Sequence, residues 1–129
     1  MLWDTYAWVE FLNNSDVGVE VAKTLEVEPP QTAMASISEL SSWALKNGKD
    51  PQAILKVVKD GSQLMEFTNG IAGLAGQIHN ENKSHTKGFG MVDSMIYATA
   101  LANSLKIVTG DPHFEGKRDV VFIGPKNKP

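Results

Sequence analysis

Five short apolar runs separated by stretches of helical periodicity constrain this chain more than any other feature. The runs are Met1–Trp3, Thr32–Ala35, Leu64–Phe67, Lys106–Thr109 and Val120–Ile123. Between them the spacing predicts helices over Thr5 to about Asn13, Asp16 to about Glu26, about Ser38 to Lys46, Gln52 to Lys59, Ile71 to Asn80 and Val92 to Ser104. The punctuation agrees. Ser15 or Asp16 offers an N-cap, Pro29-Pro30 stops the second helix, and Asn47-Gly48 ends the third. Asp50-Pro51 pairs an N-cap with proline at the first helical position. Short strands alternating with helices indicate an α/β domain, with a parallel sheet and helices on both faces. In such folds ligands bind beyond the carboxyl ends of the strands.

At 129 residues the chain fits one domain, expected over 1–124, with a short frayed tail over 125–129. Hydrophobic residues make up 42% and charged residues 21%, which is ordinary globular usage and argues against a disordered or fibrous chain. Cysteine is absent, so a disulfide scaffold, a thiolate zinc site and a cysteine nucleophile are excluded. No apolar run is long enough to span a membrane. MLWDTYAWVEFL lacks a basic leader and carries Asp4 and Glu10, unlike a signal peptide. The expectation is a soluble, cytoplasmic protein. Residues 1–83 carry 6 lysines against 11 carboxylates, whereas residues 84–129 carry 6 basic residues against 4 acids. Bulk charge does not mark a nucleic-acid binder, but acids held by a metal ion would not repel phosphate.

Four acids fall at the predicted strand ends or at the head of a helix. Asp4 ends the first strand, Glu39 follows the second in SISEL, Asp111 follows the fourth in TGDPHF, and Asp93 opens the strongest helix. Each also has a purely structural reading. Asp4 and Asp111 suit helix or turn caps, Ser36-x-x-Glu39 has the form of a capping box, and Asp93 suits the positive end of a helix. Helical spacing adds a constraint that capping does not need. Asp4 heads the stripe Ala7, Trp8, Phe11, Leu12, and Asp93 heads Ile96, Tyr97, Ala100, Leu101. Both stripes are apolar and core-facing. Glu39 shares its face with Trp43 but also with Ser42 and Lys46. Inward carboxylates at neighbouring strand ends would repel by about 3 kcal/mol per pair at ~5 Å. A hard divalent cation removes that cost, and oxygen ligands without cysteine select Mg²⁺ or Mn²⁺. Such cages orient phosphate and activate water, which is phosphodiester chemistry.

The residues LWDT, SISEL and MVDSMIYATALANSLKIVTGDPHF, in this order and spacing, resemble a PIN domain of the VapC-type toxins and their archaeal stand-alone relatives. The resemblance runs over essentially the whole chain. It implies a Rossmann-like PIN fold and an endoribonuclease that cuts single-stranded or looped RNA with Mg²⁺ or Mn²⁺. By position, Asp4, Glu39, Asp93 and Asp111 would form the metal-binding acidic cluster, and Thr5 and Thr109 would orient carboxylates or water. It further implies a homodimer and, for a toxin, a cognate antitoxin protein. Two alternatives carry the same motifs: an RNA-processing nuclease with no toxin role, and a module that has lost catalysis and serves as a binding partner. The chain departs from the family pattern at Tyr6, where many members have Ser, and at His113, where many have a further acid.

Other polar residues have two readings each. Lys83, His85 and Lys87, with Lys117 and Arg118, either line an RNA path or form a solvated surface. His113 is either a proton donor or phosphate contact, or an exposed loop histidine beside Pro112. Trp3, Trp8 and Trp43 fall on apolar stripes and are expected in the core rather than as base-stacking platforms. The spacing of Gly70, Gly73 and Gly76 suggests close helix packing, against this chain or a second subunit.

Overall fold

Each apolar run folds as a strand of two or three residues in the computed structural model, which describes residues 1–124. The tail expected over 125–129 lies outside the described residues. The strands are β1 (Leu2–Trp3), β2 (Gln31–Ala33), β3 (Gln63–Met65), β4 (Ile107–Thr109) and β5 (Val120–Phe122). They form one sheet in the order β3-β2-β1-β4-β5, and every pairing is parallel. Leu2 lies opposite Gln31 on one side and Ile107 on the other. The chain builds outward from β1 through β2 to β3, then returns to place β4 and β5 on the opposite side. The carboxyl ends of β1 and β4 therefore flank the point where the strand order reverses, the crevice in which open α/β sheets bind ligands.

Six helices cover the sheet: α1 (Thr5–Leu12), α2 (Asp16–Lys23), α3 (Met34–Lys46), α4 (Pro51–Gly61), α5 (Asn69–Asn82) and α6 (Met91–Ala102). Strand alternation divides the interior into two cores. Leu2 and Ile107 pack with Ile71, Ala75 and Ile78 of α5, Ile96 and Tyr97 of α6, Phe89 and Phe114. Trp3 and Val108 pack with Ala7 and Trp8 of α1, Val21, Leu40 and Val58. The Trp3 and Trp8 rings lie 4.7 Å apart, and each indole N–H finds a threonine hydroxyl, Thr24 and Thr32 respectively. Trp43 is half-buried against this second core.

The elements differ from their expected bounds where tertiary packing adds a turn. α3 begins at Met34, a full turn ahead of Ser38, because Ser36, Leu40 and Ala44 continue one buried stripe toward the sheet. Ser36 is thus inside the helix and buried, and no capping box forms with Glu39. The second helix breaks at Lys23 into a 3-10 turn over Thr24–Glu26, where the Thr24 hydroxyl donates to the Val21 carbonyl. A further 3-10 turn over Pro112–Phe114, capped by Asp111, has no counterpart in the apolar periodicity.

Glycines mark where backbones touch. A Cβ on Gly18 would stand 2.0 Å from the Glu10 carbonyl oxygen, so α2 crosses α1 at van der Waals limit. Gly110 and Gly124 meet directly, and a Cβ on Gly124 would stand 2.3 Å from the Gly110 carbonyl oxygen. The expected close packing at Gly70, Gly73 and Gly76 is not made within this chain: all three are exposed, and a Cβ on Gly73 or Gly76 would meet nothing within 4 Å. Two substitutions of the same kind should therefore have opposite signs. Gly18→Ala should cost about 2 kcal/mol through overpacking, and Gly73→Ala should add about 0.5–1 kcal/mol through helix propensity. Urea denaturation of both variants checks this, and a stable Gly18→Ala would show that α1 and α2 part freely.

Candidate metal centre

Asp4 follows β1 and is the N-cap of α1, where one carboxylate oxygen accepts from the Ala7 amide at 2.8 Å. Its other oxygen accepts from the Thr109 hydroxyl at the end of β4. Thr109 Oγ1 in turn accepts from the Asp111 amide at 2.9 Å, so β1, β4 and the following turn are tied by one hydroxyl. Asp111 caps its 3-10 turn by accepting from the His113 amide at 2.9 Å. Asp93 lies in the first turn of α6 and accepts from the Gly90 amide at 3.0 Å. The capping roles and the inward orientation are therefore compatible: one oxygen stays with the backbone while the carboxylate faces its neighbours.

Glu39 reaches the same place from α3. Its carboxylate accepts from the Thr5 hydroxyl at 2.5 Å, and Thr5 Oγ1 is 3.1 Å from Ser36 Oγ. Thr5 and Glu39 also border a groove between α1 and α3 that takes in Trp43 and Lys46. Asp93, Asp111 and His113 each bring a ligand atom within 4.8 Å of the others, Thr109 ties Asp4 to Asp111, and Thr5, the residue after Asp4, holds Glu39, so each acid has a threonine or backbone donor. No Lys or Arg pairs with any of the four among the described residues.

The electrostatics record that arrangement. Burial raises Asp4 to about 7, with Asp111 and Asp93 adding to the rise and the bonds from Thr109 and Ala7 opposing it. Burial also raises Glu39, and the charges of Asp93 and Asp111 reinforce the shift against the Thr5 bond. Asp93 is raised by burial first and then by Asp111, with the Gly90 amide and His113 opposing. Tyr6, whose ring packs on Gly110, is raised by burial and by Glu10, Asp111 and Asp4. Asp4, Glu39 and Asp93, each destabilised by burial and by neighbouring charge, offer the oxygen donors that a hard divalent cation fits.

The basic candidates are spread more widely. Lys83, His85, Lys87 and Arg118 are exposed, and Arg118 Nε lies 3.6 Å from Asp119. Lys117 is engaged: it donates to Asn82 and Thr86, both at 2.9 Å, and sits 4.8 Å from the Phe89 ring centre. It therefore anchors the segment between α5 and α6. His113 keeps 39% side-chain exposure but turns one ring edge inward. Its Nδ1 is buried and lies 3.2 Å from Asp111 and 3.7 Å from Asp93. Lys46 borders the groove beside Glu39 and Ser36 lies against Thr5; the spacing places both near Glu39 in sequence but gives neither a role at the site.

These shifts give the metal-free protein an inverted acid response. An unfolded aspartate ionises at about pH 4, whereas folded Asp4 ionises only at about 7. Ionisation of Asp4 between those values opposes the fold, and Glu39 and Asp93 act in the same direction. Stability without metal should therefore fall as pH rises from about 4 to 8. Asp4→Asn should flatten the profile and exceed the parent at the upper end. Urea titrations of both proteins in EDTA test this; a parent profile that rises over the same window would remove the account.

The fold is that of known toxin chains. The structure matches a toxin–antitoxin complex from Klebsiella pneumoniae with a TM-score of 0.74 at 20% identity, covering 93% of this chain and 94% of that one. VapBC2 from Rickettsia felis, bound to a DNA fragment from its promoter, matches with a TM-score of 0.73 at 16% identity, covering 94% and 95%. VapC20 of Mycobacterium tuberculosis, a sarcin–ricin loop cleaving toxin, matches with a TM-score of 0.68 at 13% identity, covering 90% of each chain. No curated protein matches by sequence. The family model for the PIN domain matches residues 1–119, which include all four acids and His113, and the chain belongs to the PIN domain family.

Proposed function

We propose that this chain is a Mg²⁺- or Mn²⁺-dependent endoribonuclease of the VapC type, hydrolysing phosphodiester bonds in single-stranded or looped RNA. The observation that supports the reading is the grouping of acids from segments far apart in sequence: Asp93 and Asp111 lie close together, Thr109 ties Asp4 to Asp111, and the charges of Asp93 and Asp111 reach Glu39. Asp4, Asp93 and Asp111 would hold the ion directly or through water, and Glu39 completes the cage. When bound, the ion offsets the charge of the acids and of the substrate phosphate and supplies Lewis acidity for hydrolysis.

The protein's own groups do the positioning. Thr109 holds the Asp4 carboxylate and the Asp111 backbone in one arrangement, which spares reorganisation during the reaction. The Gly90 amide fixes Asp93, and Thr5 fixes Glu39. Glu39, raised by burial and by neighbouring charge, is the group suited to take a proton from an attacking water. Lys83, Lys87 and Arg118 are exposed cations available to the RNA backbone, and Lys46 borders the groove beside Glu39.

The toxin role is supported by the similarity to chains solved within toxin–antitoxin complexes. In that role the partners are a cognate antitoxin and a second copy of this chain, and the compartment is the cytoplasm. No helix among the described residues is long and apolar enough to cross a membrane.

A labelled single-stranded RNA incubated with Mn²⁺ or EDTA tests the reading. The parent should cut only with metal, and Asp93→Asn should lower the rate by at least ~10² while circular dichroism shows the fold retained. Cleavage by Asp93→Asn at the parental rate would remove Asp93 from the centre. A folded, metal-loaded parent that cuts neither this RNA nor structured RNA loops would favour a non-catalytic binding module.

A further inference from the structure

The imidazole of His113 is the one nitrogen donor among the oxygen donors of the cluster. One ligand atom from each of Asp93, Asp111 and His113 lies within 4.8 Å of the others. Nδ1 of His113 is buried, and no hydrogen bond satisfies it, although the Asp111 carboxylate is only 3.2 Å away. That carboxylate oxygen already accepts the His113 amide, and the ring approaches it outside hydrogen-bonding geometry. A buried ring nitrogen without a partner costs free energy unless something else occupies its lone pair.

The ring is held in that orientation from behind. Gly88, at φ +85, leaves the space in which a Cβ would stand 2.8 Å from His113 Nε2. Both loops are then anchored by neighbouring aromatics: Phe89 and Phe114 are buried, with ring centres 5.3 Å apart in an edge-to-face arrangement. Tyr97 closes the group at 5.9 Å from Phe114, and its hydroxyl donates to the Arg118 carbonyl. The imidazole is thus seated between Gly88 and two carboxylates, with its Nδ1 edge buried while the side chain as a whole keeps 39% exposure.

We propose that His113 ligates the metal through Nδ1, in place of an oxygen donor, and biases the centre toward Mn²⁺ over Mg²⁺. The proposal rests on the nuclease reading above only in assuming that the cluster binds a divalent ion. Mg²⁺ demands oxygen donors and a rigid octahedron, whereas imidazole nitrogen suits first-row transition ions. The ring would bind as the neutral tautomer with its proton on Nε2, the edge that faces Gly88.

Pulsed electron paramagnetic resonance of the Mn²⁺-loaded protein, with calorimetric titration of each ion alone, tests this. The parent should show ¹⁴N coupling from one directly bound imidazole. In His113→Asn that coupling should vanish while Mn²⁺ still binds, with affinity about tenfold lower. Mg²⁺ affinity should change far less, and His113→Asp should narrow the difference between the two ions. Bound Mn²⁺ without nitrogen coupling in the parent would overturn the proposal, and so would coupling that survives in His113→Asn. RNA cleavage that depends on metal, together with absent coupling, would leave the nuclease reading standing and sink this one. Failure of the parent to bind either ion would sink both.

Discussion

The carboxylate of Asp4, buried to 3% exposure at the end of the central strand, is the constraint around which the site is arranged. An isolated charge there is expensive. The structure gives it two donors, the Ala7 amide and the Thr109 hydroxyl, and these are not sufficient to keep it in the ordinary carboxylate range. An apolar residue at this position would remove the buried charge but leave the Ala7 amide and the Thr109 hydroxyl without their acceptor. The raised ionisation of Asp4 suits a group whose charge a bound cation would offset. Asp111 and Asp93 add to the same deficit, and among the described residues no lysine or arginine pairs with these acids to offset it.

The sheet topology makes such a concentration of charge possible. Strands of two or three residues expose their carboxyl ends almost at once to the next helix, so each connecting segment begins within reach of its neighbours. Asp4 and Asp111 follow adjacent strands, and Thr109 bridges them. Asp93 and Glu39 arrive on α6 and α3, which cover the crevice from either side. The helix starts also lower the cost of the cluster. Asp4, Asp93 and Asp111 each accept a backbone amide at a helix or turn start, where the peptide dipoles favour negative charge. Local capping and the candidate metal centre therefore draw on the same residues, with one carboxylate oxygen held by a backbone amide.

Much of this was legible because two periodicities carry it. The apolar runs mark all five strands, and the stripes behind Asp4 and Asp93 show both acids heading core-facing positions: Ala7, Trp8, Ile96, Tyr97 and Ala100 are all buried. Elsewhere local pattern misleads. Ser36 and Glu39 have capping-box spacing, but the helix starts earlier because tertiary burial of Ser36 outweighs its capping preference, and the glutamate bonds to Thr5 instead. Lys117 reads as a free cation in a basic stretch, yet it is held by Asn82 and Thr86, partners 35 and 31 residues away. Gly73 and Gly76 of α5 have the spacing of a packed face, yet a Cβ on either would meet nothing within 4 Å among the described residues. Spacing describes one element at a time, whereas these outcomes depend on which second element arrives.

His113 shows the same division at the site itself. Its neighbours in sequence, Pro112 and Phe114, describe a turn with a buried aromatic; nothing local shows that the imidazole faces Asp93 or backs onto Gly88. The sequence by itself determined the α/β alternation, the parallel sheet, the four acids at its strand ends and helix starts, and the aromatic cores, because these depend on hydrophobic periodicity and capping within single elements. Only the tertiary structure decided that Asp93 and Asp111 lie beside His113, that Thr109 ties Asp4 to Asp111, and that Thr5 holds Glu39. Those facts depend on strand order and loop packing, which set distances between residues that no periodicity relates.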